Sequence, residues 1–156
     1  MTVDIERGIL SDRQIRAAYD GGWIRAETPF DHDQVQPASL DLRLGTVAYR
    51  VRASFLPGPA TTVADRISAL RLHEIDLTDG AVLETGCVYI VPLLEGLDLP
   101  PEIEASANPK SSTGRLDIFT RVITDRARAF DTIPAGYRGP LYLEASPRTF
   151  PILART

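Results

Sequence analysis

The segment Asn108-Pro109-Lys110-Ser111-Ser112-Thr113-Gly114-Arg115-Leu116 gathers the densest set of ligand-type side chains in the chain. Lys110 is the only lysine, and three hydroxyl residues follow it directly. If a helix starts at Ser111, its first-turn N–H groups and the serine hydroxyls face one way. Lys110 then adds a point charge, which makes a cradle for phosphate oxygens. Ser111 and Arg115 are four apart and share one face of such a helix. The Gly-x-x-x-x-Gly-Lys frame of a Walker loop is absent, and Ser-Ser after proline is also ordinary capping chemistry. A second candidate is Glu144, set among Leu141, Leu143 and Ala145. A carboxylate drawn into such surroundings suits acid/base work near neutrality, although alternation with Tyr142 equally allows Glu144 a solvent face. A third is Phe130-Asp131, an aromatic and an acid before the turn-rich run Ile133-Pro134-Ala135-Gly136. That pair could hold a base and a sugar hydroxyl, or simply build a turn.

The elements that must position these residues are mostly strands. A helix is expected at about 12–20, with Ser11 and Gln14 at capping-box spacing, Leu10 and Ile15 as a hydrophobic staple, and Gly21-Gly22 as the stop. Residues 39–44 alternate apolar and polar up to Gly45, and residues 47–52 follow as the expected partner strand. Residues 62–70 suit a short helix. Alternation returns at 70–77, and 82–93 reads as two strand segments around Thr85-Gly86. Strands are also expected at 103–107, 118–124, 140–145 and 150–154. Many short strands divided by 11 glycines and 12 prolines point to a mainly β barrel or sandwich-like domain.

Composition limits the function classes. With 156 residues and 44% hydrophobic content, one domain can build a core without staples. No apolar run approaches the roughly 18 residues of a membrane span, and the first ten residues lack signal-peptide character. Cys87 is the single cysteine, which fits a reducing cytoplasm. With only His32 and His73 beside it, a zinc site is not expected. The net charge of −4 argues against nucleic-acid polymers as partners. The charge is uneven: residues 1–106 carry 9 basic and 17 acidic side chains, whereas residues 107–156 carry 8 basic and 4 acidic. A basic final third on an acidic protein suits a small polyanion, or else arginines facing the acidic remainder.

Four ordered stretches together resemble the dCTP deaminases of the trimeric dUTPase-like superfamily. They are Gly8-Ile9-Leu10-Ser11-Asp12-Arg13-Gln14-Ile15, then Gln36-Pro37-Ala38-Ser39-Leu40-Asp41-Leu42-Arg43-Leu44-Gly45. Leu99-Pro100-Pro101-Glu102-Ile103 follows, leading into Lys110–Arg115, and last comes Gly139-Pro140-Leu141-Tyr142-Leu143-Glu144. The likeness covers nearly the whole chain, and the middle stretches look most like the long, double-length bacterial variety. It implies a dUTPase-like distorted β-barrel (β-clip) with one N-terminal helix and short helices, assembled as a homotrimer with shared active sites. It implies hydrolytic deamination of dCTP to dUTP and ammonia in pyrimidine deoxynucleotide metabolism. The roles carried over give Glu144 as the acid/base for attack on C4 of cytosine, Ser111 as the residue orienting water, and Arg115 beside that water and the pyrimidine. Lys110, in place of the usual arginine, and Ser112 receive phosphates. Magnesium arrives with the triphosphate and no zinc is needed.

Two departures go with the resemblance. Pro134 falls where an aspartate is usual, which leaves Asp131 as the nearest group for the 3′-hydroxyl. The sequence given ends at Thr156, so residues 1–156 are expected as a single domain lacking the usual C-terminal strand and lid. The competing readings are a dUTPase or bifunctional deaminase–dUTPase and, from another class, a non-catalytic nucleotide-binding or trimerisation module.

Overall fold

Backbone N–H of Ser11 donates to Gln14 Oε1 at 2.9 Å, which fixes the start of the first helix. A computed structural model describes residues 8–156. Its elements are α1 (Asp12–Asp20), β1 (Ile24–Ala26), β2 (Val35–Gln36), β3 (Ser39–Leu40), β4 (Val47–Val51), α2 (Val63–Leu70), β5 (Arg71–Asp76) and β6 (Ala81–Leu83). They continue with β7 (Val88–Asp98), β8 (Ala105–Ser106), α3 (Ser111–Arg115), β9 (Ile118–Thr124), β10 (Thr132–Ile133), β11 (Arg138–Pro147) and β12 (Ile152–Ala154). The mainly β expectation holds, and both expected helices form. The staple closes as the spacing requires, with Leu10 packed against a cluster containing buried Ile15. At α2, Thr62 Oγ1 accepts the Asp65 N–H at 3.1 Å while Asp65 accepts the Thr62 N–H at 3.3 Å. The Thr62 hydroxyl, donating to Asp65 Oδ2 at 2.7 Å, and after it the Thr62 N–H hold the exposed Asp65 carboxyl below its ordinary range.

The main sheet runs β5-β4-β7-β11-β9, with β1 also paired to β7. All its pairings are antiparallel, and three two-stranded ribbons, β2-β3, β8-β10 and β6-β12, surround it. Both faces of the sheet are covered. On one, Val63 and Ile67 of α2 pack with Val51, Ile90, Ile123 and Tyr142. On the other, Leu83 and Ala154 of the β6-β12 ribbon pack with Ala48, Tyr89 and Val91. Each fully buried aliphatic side chain here contributes roughly 1.5–3 kcal/mol of burial free energy. No helix among the described residues is long and apolar enough to cross a membrane.

One pairing differs from expectation. Residues 39–44 do not form a strand against 47–52; β3 stops at Leu40 and pairs with β2, while β4 pairs with β5 and β7. The later part of 39–44 forms no ladder with β7, its backbone pairing there being an isolated bridge from Leu44 to Leu93, with the Leu94 N–H donating to the Arg43 carbonyl at 3.0 Å. The cause lies in β7. Pro92 has no N–H to give a ladder, and the Arg43 N–H is claimed by the Glu95 carboxylate at 2.8 Å. Gly45 is required next to this point: a Cβ there would lie 2.6 Å from the Pro92 carbonyl oxygen.

Candidate functional site

Strand β11 carries Glu144 into the interior. Its neighbours explain why alternation did not leave the carboxylate in water. Tyr142, two residues earlier on the same face, is itself in the core, and Leu141 lines the core on the other face. Glu144 is only 1% exposed, so its charge must be met inside the protein. The residue directly opposite on β9 is Arg121. Its Nη2 and Nε donate to Glu144 Oε1 at 2.7 and 3.2 Å. Ser54, in the loop after β4, donates its hydroxyl to Oε2 at 2.6 Å. Arg121 Nη2 in turn donates to Ser54 Oγ at 2.8 Å, which closes a three-residue ring. Phe119 and Phe130 hold the guanidinium, with ring centroids 4.7 and 3.6 Å from its central carbon.

The hydroxyl-rich segment forms a second locus. Helix α3 begins at Ser111, where a helix start was expected, but its N-cap is Lys110, which makes no side-chain capping bond. Lys110 Nζ donates to Asp41 Oδ2 at 2.6 Å, and Gln36 Nε2 reaches the same oxygen at 3.2 Å. Two stretches separated by some seventy residues in sequence therefore meet at the lysine. A buried network supports this junction from below. Glu95 accepts from Gln34 Nε2 at 2.7 Å and Arg43 Nε at 2.8 Å, and Gln34 also donates to the Asp41 carbonyl at 2.9 Å.

Ser111, Ser112 and Arg115 are exposed. Within one chain no hydrogen bond or ion pair joins them to Glu144 among the described residues. Asp131 is half-buried at a positive φ of 59°, and its Oδ1 accepts the Val122 N–H at 2.7 Å. It thus ties its own loop to β9 and leaves its second oxygen for other work. Sequence reasoning missed Ser54 and Arg121. An arginine in an otherwise mostly apolar strand, Ile118–Thr124, was the available signal for Arg121; nothing local marks Ser54. Among the described residues, no three His, Cys, Asp or Glu side chains gather where they could hold a metal ion.

Comparisons with known proteins identify the family. Residues 6–156 match the family described as the 2′-deoxycytidine 5′-triphosphate deaminase (DCD) N-terminal domain. The chain is 32% identical over 138 residues to a Streptomyces coelicolor protein named "dCTP deaminase, dUMP-forming", covering 88% of this chain and 68% of that one. A Beutenbergia cavernae protein of the same name is 33% identical, covering 93% and 72%. A crystal structure of 2′-deoxycytidine 5′-triphosphate deaminase from Agrobacterium tumefaciens aligns with a TM-score of 0.92 and 69% identity. The alignment covers 95% of this chain and 44% of that one, so the chain spans less than half the length of that protein. The mainly β, dUTPase-like fold agrees with this neighbour. The chain belongs to the 2′-deoxycytidine 5′-triphosphate deaminase N-terminal domain family.

Proposed function

We propose that the chain acts in the hydrolytic deamination of dCTP, with water entering and ammonia leaving at C4 of the cytosine. The observation that carries this reading is Glu144, a buried carboxylate in a fixed hydrogen-bonded setting on a chain of this family. Glu144 takes a proton from the attacking water and returns it to the departing amine, so one carboxylate serves as base and then acid. Ser111 orients the water, and Arg115 stands beside it and the pyrimidine. Both are exposed and unjoined to Glu144 within one chain, which supports their reaching the carboxylate from a neighbouring copy in a homotrimer with shared sites.

Lys110 and Ser112 receive the phosphates, with Lys110 exchanging Asp41 for the incoming anion. Magnesium comes bound to the triphosphate and neutralises part of its charge, which asks no cage of the protein. The second carboxylate oxygen of Asp131 is the nearest acceptor for the 3′-hydroxyl. One free thiol at Cys87 suits a reducing cytoplasm. The test is a nucleotide panel with product analysis. Ammonia and a deoxyuridine nucleotide from dCTP support the reading, and absence of both removes it. Separating dUTP from dUMP shows whether hydrolysis continues, as the names of the curated relatives say of those proteins.

A further inference from the structure

The ring around Glu144 treats the two carboxylate oxygens unequally. Oε1 accepts two hydrogen bonds, both from Arg121, at 2.7 and 3.2 Å. Oε2 accepts one, from Ser54, at 2.6 Å. A carboxylate offers about four lone-pair sites over its two oxygens, so Oε1 is filled while Oε2 keeps one site open. The partners also differ in access. The Glu144 side chain is 2% exposed, whereas Arg121 is 26% exposed and Ser54 lies at the surface. Arg121 cannot easily leave Oε1, because it is opposite Glu144 in the ladder and bracketed by Phe119 and Phe130. The Ser54 hydroxyl has no such bracket and can rotate.

We propose that Arg121 and Ser54 are positioning residues that divide the work of Glu144: Arg121 saturates Oε1 and fixes the carboxylate plane, and Oε2, beside Ser54, is the oxygen that takes and returns the proton. This rests on the reading of Glu144 as the acid/base. The proton moves from the attacking water to the open site on Oε2, and from Oε2 to the departing amine, so the carboxylate ends as it began. Ser54 keeps its hydrogen bond to Oε2 throughout, and Arg121 carries the compensating positive charge in both states. In the ladder Glu144 is paired with Arg121 on β9 and Ile90 on β7, with Tyr49 of β4 one strand further and Tyr142 two residues along its own strand. Arg121 is the one charged among them at neutral pH.

The experiment measures kcat, KM and the pH profile for dCTP turnover in R121Q, R121K, S54A and E144Q, with a thermal melt for each. R121Q is expected to lose about a hundredfold in kcat with KM changed by less than about threefold. Its acid limb moves to higher pH, because loss of the cation favours the protonated carboxyl. R121K restores part of the rate and part of the limb, since it returns the charge but not the two-point hold. S54A loses about tenfold in kcat, the worth of one hydrogen bond to a charged group. An inactive E144Q beside R121Q and S54A variants of parental kcat and unmoved acid limb overturns the proposal and leaves Glu144 in its role. An active E144Q removes the reading of Glu144 itself. If R121Q gives no cooperative melt, R121K and the surface substitution S54A decide by the same two readouts.

Discussion

At the scale of the residue, the deaminase reading stands on one carboxylate. Glu144→Gln keeps the shape, and its amide oxygen can still accept from Arg121 while its NH2 turns to Ser54 Oγ as a donor, but it cannot take a proton from water. Turnover of dCTP is expected to fall by about 10²–10⁴-fold or more, while nucleotide binding stays close to the parent and the melting temperature drops, because Arg121 loses its buried counter-charge. Retained turnover would return Glu144 to a structural role. Chelation followed by excess magnesium is expected to restore full activity, and elemental analysis of the purified protein to find no stoichiometric zinc. His32, His73 and Cys87 do not gather into a ligand set among the described residues. Glu144 stood out in sequence as an acid among Leu141, Leu143 and Ala145, but the strand pattern left its face open and the family resemblance supplied its role. Its partners were not legible. Arg121 lies 23 residues away and Ser54 lies 90 away, and only the register of β9 on β11 and the course of the loop after β4 bring them in. Local pattern holds no information about such a pairing.

At the scale of the element, the segment after β3 shows how an alternating pattern can be read correctly for burial and wrongly for hydrogen bonding. Residues 39–44 do place apolar side chains inward: Leu42 and Leu44 join the cluster around Leu93. What they lack is a ladder, because the facing strand has Pro92 and because Glu95 takes the Arg43 N–H. A proline on another strand is invisible to a window of six residues. The same junction yields two expectations. Gly45→Ala would press a methyl onto the Pro92 carbonyl oxygen and cost about 1–3 kcal/mol, read as a lowered denaturation midpoint. Glu95→Ala would strip a fully buried carboxylate from Arg43 and Gln34. Removing one member of a buried ion pair costs about 3–5 kcal/mol. Asp41 is held by this network, so the variant is also expected to weaken triphosphate binding more than it slows turnover at saturation. Unchanged midpoints in urea would show that the network carries no such load.

At the scale of the whole molecule, three tyrosines tie the fold to pH. Burial pushes the phenols of Tyr89, Tyr137 and Tyr142 upward, Tyr137 to about 12. In the unfolded chain they ionise near 10. The folded state therefore holds their protons longer, and stability is full below about pH 10 and declines as pH climbs towards 12. Urea midpoints taken across that window are expected to fall, and Tyr137→Phe is expected to flatten part of the slope. It also lowers the starting value, because the Tyr137 hydroxyl donates to the Pro140 carbonyl at 2.7 Å and accepts the Asp125 N–H at 3.1 Å. A slope unaltered in the phenylalanine variant would assign the alkaline loss elsewhere. The placement of β11 between β7 and β9 has a consequence in time as well. The pairing of Glu144 with Ile90 closes a long stretch of chain, and such non-local closures come late and slowly in folding. The amides of this strand should be among the last to exchange with heavy water, opening only when the entire sheet does. A chain that has built α1 or α2 but not yet closed the sheet would have no assembled acid/base, so in a refolding time course deamination should return with the slowest phase and not before it.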